Sequence, residues 1–173
     1  YVYISVNDHV QDPPDLWTGR VPRHWGARVP HLERASDGTE RWVVDGKTLL
    51  GGFAGKAGAL MTDRNCEPSR WDEVPAAAYA PAERLKVMDA AGVDYSVLYP
   101  TVAGLAGEVF GAIEDNELEL ACVQAYNNWL IESWAAASER FIPQCIVPIW
   151  PVDATIKEIR RAVKLGHRGV VFP

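Results

Sequence analysis

From residue 81 onward the chain alternates helical and extended patterns, and this alternation constrains the fold more than any other feature. Pro81 suits the first position of a helix, Leu85 and Met88 have helical spacing, and Gly92 supplies a stop. Tyr95 to Tyr99 predicts a strand that ends at Pro100-Thr101. Leu118, Cys122, Ala125 and Trp129 step by three and four, which predicts a second helix from about Asp115 to Ala137. A strand over Phe141 to Val147 follows. Pro151 and Asp153 open a third helix with Ile156, Ile159 and Val163 on one face and Lys157, Arg161 and Lys164 on the other. Gly166 closes it, and Gly169 to Phe172 is the last strand. At the front, Tyr1 to Val6 reads as a buried strand that delivers the polar residues Asn7, Asp8 and His9 at its C-terminal end.

The predicted order is strand, long excursion, then three helix-strand pairs, which is a run of βα units feeding a parallel sheet. A closed βα barrel needs eight such units and about 250 residues. Four units in 173 residues therefore predict an α/β fold that is the N-terminal half of a (β/α)8 TIM-type barrel, with residues 1–173 as half of one domain and a long insertion after the first strand. Tyr1 is not an initiator Met, in keeping with a piece of a longer chain.

Residues 10–80 form the insertion. Prolines at 13, 14, 22, 30, 68 and 75 punctuate it, and Asp45-Gly46 between short apolar runs predicts a hairpin near 42–49. Gly51 to Gly58 is glycine-rich enough for a mobile loop, but it lacks the spacing and the Ser or Thr of a phosphate loop. The insertion leaves from the end of the strand where α/β enzymes keep their chemistry, so it is expected to cover the barrel mouth as a lid.

Composition excludes several classes. Seventeen Lys and Arg against 23 Asp and Glu give a net charge of -6 with no clustered run, which argues against a nucleic-acid footprint. The apolar stretches fall far short of the ~20 residues that cross a bilayer. Cys66, Cys122 and Cys145 have no metal-binding or redox spacing, which favours a reduced, cytoplasmic setting. The expected partner is a small-molecule substrate. The apolar and Trp-bearing segments of the insertion would suit a homodimer or higher homo-oligomer.

Asn7 and His9 stand two apart on a strand end, so their side chains share a face. An amide oxygen and an imidazole so placed can hold one divalent metal; the alternative is that His9 bonds a loop and Asn7 caps a turn. His24 and His31, among Arg23, Trp25, Arg28 and Arg34, could meet a carboxylated substrate or simply form a solvated surface. His167 precedes the fourth strand at the wrong end and is expected to be structural. Asn127, between Tyr126 and Trp129, is expected to tie its helix to a neighbouring loop. The cysteines lack basic neighbours and do not suggest a nucleophile.

Six blocks carry a longer signal. Ile4-Ser-Val-Asn-Asp-His9-Val-Gln-Asp12-Pro13-Pro14-Asp15-Leu16-Trp17 resembles the opening of the amidohydrolase-related branch of the amidohydrolase superfamily, the group that includes aminocarboxymuconate semialdehyde decarboxylase. Trp42 to Gly46, Arg84 to Asp94, Leu98 to Thr101, Ala125 to Leu130, and Pro148 followed by Ile159 to Pro173 resemble it in the same order.

The resemblance implies a distorted barrel with one divalent metal at the C-terminal mouth: zinc first, manganese or iron as alternatives. It carries over two metal positions, His9 and Asn7; a His from a fifth strand and an Asp from an eighth would lie beyond Pro173, with the catalytic acid or base. Asn7 departs from the acid or imidazole usual there, and a neutral amide is a weaker ligand. Asp12 is a candidate substrate or outer-shell carboxylate, with a turn-forming role before Pro13-Pro14 as the alternative, and Trp17 joins it as a substrate-side candidate. The implied activity is metal-dependent hydrolysis of an amide, ester or lactone of a small carboxylated or aromatic substrate. The alternatives are a non-oxidative decarboxylase of an aromatic or unsaturated acid, or a metal-free scaffold with a degenerate site.

Overall fold

The structure is a computed structural model that describes residues 1–49, 53 and 68–172. Strand β1 (Ile4–His9) leads into the excursion, which holds α1 (Leu16–Arg20), a short 3-10 segment (Arg23–Arg28), and strands β2 (His31–Arg34), β3 (Glu40–Val44) and β4 (Lys47–Thr48). Helix α2 (Ala76–Tyr79) ends it. The regular part follows as α3 (Pro81–Ala91), β5 (Tyr95–Tyr99), α4 (Glu108–Gly111), α5 (Asn116–Trp129) with a π-helical turn at Leu130–Ala135, β6 (Phe141–Ile146), α6 (Val152–Leu165) and β7 (Gly169–Val171).

Strands β1, β5, β6 and β7 lie side by side in that order, all parallel. The helices of this sheet are bounded by the residues that favour such ends. Pro81 occupies the first turn of α3, and Gly92 leaves it at φ +67°, a left-handed conformation that a residue with a Cβ resists. The Asp115 carboxylate accepts from the Glu117 and Leu118 amides at the start of α5. In the excursion, β3 and β4 join through Asp45 (φ +47°) and Gly46 (φ +74°), the paired positive φ values of a type I′ turn. Strand β2 pairs antiparallel with β3, an element that the irregular pattern of residues 10–80 did not suggest.

One core joins the excursion to the βα units. Trp17 packs edge-on against Trp42 and Phe110, with ring centroids 5.7 and 5.5 Å away, and its indole N–H donates to the Cys122 carbonyl of α5. Leu118, Cys122, Tyr126 and Leu130 complete this buried layer. Trp17 and Trp42 are therefore internal residues.

Two expectations are corrected. The strand expected over Tyr1 to Val6 runs from Ile4 to His9. In this half of the sheet β1 pairs only with β5, and among the described residues nothing packs over Tyr3, Ile4 and Val6. Helix α6 is also turned from the orientation its apolar stripe suggests. Ile156 and Val163 are exposed, while Glu158 and Ala162 are buried. Small Ala162 lets the helix approach Cys145 and Val147 of the sheet side, and Glu158 enters the interior because four donors meet it there. Asn127 and Gln124 donate from α5, and Arg161 donates through two nitrogens.

Candidate metal centre at the end of β1

The C-terminal half of β1 sorts its polar side chains onto two faces. The register pairs Ser5 with Ser96 and then Asp8 with Leu98, so three steps on β1 match two on β5. The extra residue is a β-bulge at Val6-Asn7. Beyond it, Asp8 and His9 alternate. Asp8 turns to the helix side, where the buried Ser96 hydroxyl donates to its carboxylate. His9 pairs with Tyr99 on the opposite side, their rings 6.0 Å apart. Asn7 lies in the bulge and is exposed, an irregularity that the sequence pattern does not reveal.

Residues 9–12 are fastened at many points. His9 Nδ1 lies 2.6 Å from the Pro100 carbonyl oxygen. That oxygen only accepts, so Nδ1 carries the proton that it donates to Pro100. The Arg84 guanidinium of α3 donates to the His9 carbonyl at 2.9 Å and to the Ala77 carbonyl at 2.6 Å. The Val10 amide donates to Tyr99, the Thr101 hydroxyl donates to the Val10 carbonyl, and the Gln11 amide donates to Ala78. Fully buried Asp12 accepts from the Val102 amide at 2.8 Å and the Thr101 amide at 3.3 Å. Asp12 thus clasps the end of β5 to the start of the insertion. Its carboxylate helps to hold the buried Tyr126 phenol well above its ordinary value, although burial is the larger cause.

Anchored through Nδ1, His9 has the orientation that an imidazole needs to hold a metal through its other nitrogen. Among the described residues no three His, Cys, Asp or Glu side chains converge as a complete ligand set. Trp17 is buried in the core with its N–H engaged by Cys122, not turned to the mouth. Arg28 is paired with Asp45 and Asp115, and Arg34 with Glu40. His31 bonds Val29 and Glu33, and His24 stacks on Trp25 with centroids 4.7 Å apart. Asn127 clips the β6 backbone at both polar atoms of Ile146 and donates to Glu158, and buried His167 contacts the Asn127 carbonyl. Burial pushes the Cys122 thiol up to about 12 and the Cys145 thiol to about 11, which removes both as nucleophiles at neutral pH. Cys66 and all of Gly51 to Gly58 except Phe53 lie outside the described residues. A cavity of about 590 Å³ lined by Tyr95, Phe141, Pro143 and Arg168 sits at the opposite, N-terminal ends of β5 and β6, away from His9.

Arg84 and Tyr99 were not singled out by sequence reasoning. The signal for Arg84 was present: it lies four residues before Met88, on the stripe that α3 buries. A cation on a core stripe marks a specific internal acceptor.

A parallel α/β sheet with an imidazole at a strand's C-terminal end and a long insertion beside it defines a piece of a barrel enzyme scaffold. The model of the amidohydrolase family matches residues 18–173, and the chain belongs to that family. The match begins after the His9 segment, so the candidate site rests on its geometry. Over 98% of its length the chain superposes on an amidohydrolase from Mycobacterium avium subsp. paratuberculosis K-10, with 20% identity and a TM-score of 0.72, covering 49% of that protein. It also superposes over 98% of its length on 41% of the 5-carboxyvanillate decarboxylase of Novosphingobium aromaticivorans, with 16% identity and a TM-score of 0.57. That decarboxylase is a mutant form with manganese and 3-methoxy-4-hydroxy-5-nitrobenzoic acid bound. The chain thus spans about half, or less, of the solved chains that it resembles, and its fold is that of a partial amidohydrolase barrel. No curated protein matches it in sequence. No helix among the described residues is long and apolar enough to cross a membrane.

Proposed function

We propose that the intact protein is a metal-dependent hydrolase in which His9 supplies a ligand to one divalent ion and Asn7 a weaker oxygen beside it. The hydrogen bond from His9 Nδ1 to the Pro100 carbonyl carries this reading, because histidines that bind metals commonly anchor the other ring nitrogen in this way. When bound, the ion supplies Lewis acidity to a substrate carbonyl and acidifies water. The chain's own residues set the geometry. His9 is oriented by Pro100, Tyr99 flanks it on the same face, and Asp12 holds the Thr101-Val102 backbone that borders it. The substrate class is a small carboxylated or aromatic amide, ester or lactone, and zinc is the first choice of metal.

Decarboxylation of an aromatic acid is the second reading, favoured by the structural likeness to the 5-carboxyvanillate decarboxylase, which has manganese bound. Elemental analysis of the purified intact protein tests the shared part of both. Stoichiometric metal that is lost in His9→Ala supports it, whereas metal content unchanged by that substitution contradicts it. Asn7→Asp should tighten binding on the order of tenfold, about 1.4 kcal/mol, by adding charge to the site. Release of carbon dioxide from aromatic acids, set against hydrolysis of esters and lactones, separates the two reactions.

A further inference from the structure

Helix α3 reaches the candidate site through the Arg84 side chain. Arg84 is 6% exposed, lies within the molecule among apolar neighbours, and places its guanidinium carbon 5.5 Å from the centroid of the Trp134 ring. Its Nε donates to the Ala77 carbonyl in α2, and one terminal nitrogen donates to the His9 carbonyl. These two acceptors belong to the last helix of the insertion and to the last residue of β1. Asp8 lies close enough to counter its charge electrostatically.

A buried cation needs a reason to be there, because desolvation opposes it. Here the planar fork reads two backbone carbonyls at once, which a lysine ammonium, a single point of charge, does not reproduce with the same geometry. The His9 carbonyl lies one peptide before Val10, whose amide bonds Tyr99, and the His9 ring bonds Pro100. Moving that carbonyl rotates the His9 backbone and changes the distance from Nδ1 to Pro100.

We infer that Arg84 is a positioning residue for His9: its fork on the His9 and Ala77 carbonyls fixes the strand end so that the imidazole keeps the Nδ1–H tautomer and presents Nε2. The inference rests on the metal-site reading above for its functional meaning, but the tautomer itself is independent of any metal. Arg84 also ties the closing helix of the insertion to the same point, so the insertion and the imidazole are set by one group.

The test uses the intact protein and two variants, Arg84→Lys and Arg84→Met, the second keeping an unbranched stem against Trp134. Long-range proton–nitrogen spectra of the metal-free proteins read the His9 tautomer, and titration with manganese reads affinity. The wild type is expected to show Nδ1–H alone. Both folded variants are expected to show mixed tautomers and to bind manganese about tenfold more weakly, the low end for residues that orient a ligand. Folded variants with the wild-type tautomer and affinity overturn the inference, and loss of fold in both assigns Arg84 to stability alone and overturns it too. Failure of the metal-site reading looks different: the wild type then binds no manganese, or binds it equally in His9→Ala, while the tautomer shift in the Arg84 variants still decides the positioning role.

Discussion

At its C-terminal end β1 is fastened by side chains as well as backbone, whereas over its first residues the backbone pairs with Asp94 and β5 but the side chains are uncovered. Between His9 and Asp12, the His9 ring and carbonyl, the Val10 amide and carbonyl, the Gln11 amide and the Asp12 carboxylate find partners on β5, on residues 100–102 that follow it, on α2 and on α3. Between Tyr1 and Val6, aromatic and β-branched side chains stand in solvent, Val6 at 66% exposure. Dense hydrogen bonding to backbone atoms fixes direction, which a metal ligand requires. Bare apolar surface fixes nothing until another surface covers it. Helix α6 repeats the contrast across its width, with Glu158 enclosed by donors on one side and Val163 uncovered on the other.

Substitutions in the fastened and bare regions should separate by several kcal/mol in chemical denaturation of the intact protein. Trp17→Ala has the largest expected effect, about 3–5 kcal/mol, because it empties the junction between Trp42, Phe110 and α5. Glu158→Ala should cost about 3 kcal/mol, since it strands Arg161, Asn127 and Gln124 donors inside the structure. Val163→Ser, on the bare side of the same helix, should change stability by less than about 0.5 kcal/mol. A Val163→Ser loss as large as that of Glu158→Ala would show that the bare face is covered in the intact protein.

Between these extremes lies a pH effect. Burial holds His167 below its ordinary value of 6.5, against the Asn127 carbonyl that favours its protonation. The unfolded chain then binds a proton near 6.5 while the folded chain does not. Stability is complete above that pH, falls as pH drops below it, and levels off once His167 protonates in the folded state. The slope should not exceed about 1.4 kcal/mol per pH unit. Denaturation at a series of pH values should show this slope flattened in His167→Gln.

The helix ends of the regular part were legible because they depend on local chemistry: Pro81, Gly92, Asp115 and Gly166 act within a turn of their own position. The parallel sheet followed from the alternation of periods. His9 was legible as a polar residue at a strand end. Its tautomer was not, because the partner Pro100 lies 91 residues away. The bulge at Val6-Asn7 was hidden for the same reason, since register is a property of two strands. The core packing of Trp17 was not legible, because its partners Trp42, Phe110 and Cys122 lie far along the chain. The turned face of α6, which keeps Ile159 inward but not Ile156 or Val163, escaped because Glu158 is buried by partners on α5, not by its own pattern.

Anomalous diffraction from crystals of the intact protein grown with manganese or zinc tests the central claim most directly. The account predicts a single strong peak about 2.0–2.2 Å from His9 Nε2, with Nδ1 still against the Pro100 carbonyl. A peak bound elsewhere with His9 apart from it, or bound through Nδ1 with the Pro100 contact broken, would contradict it.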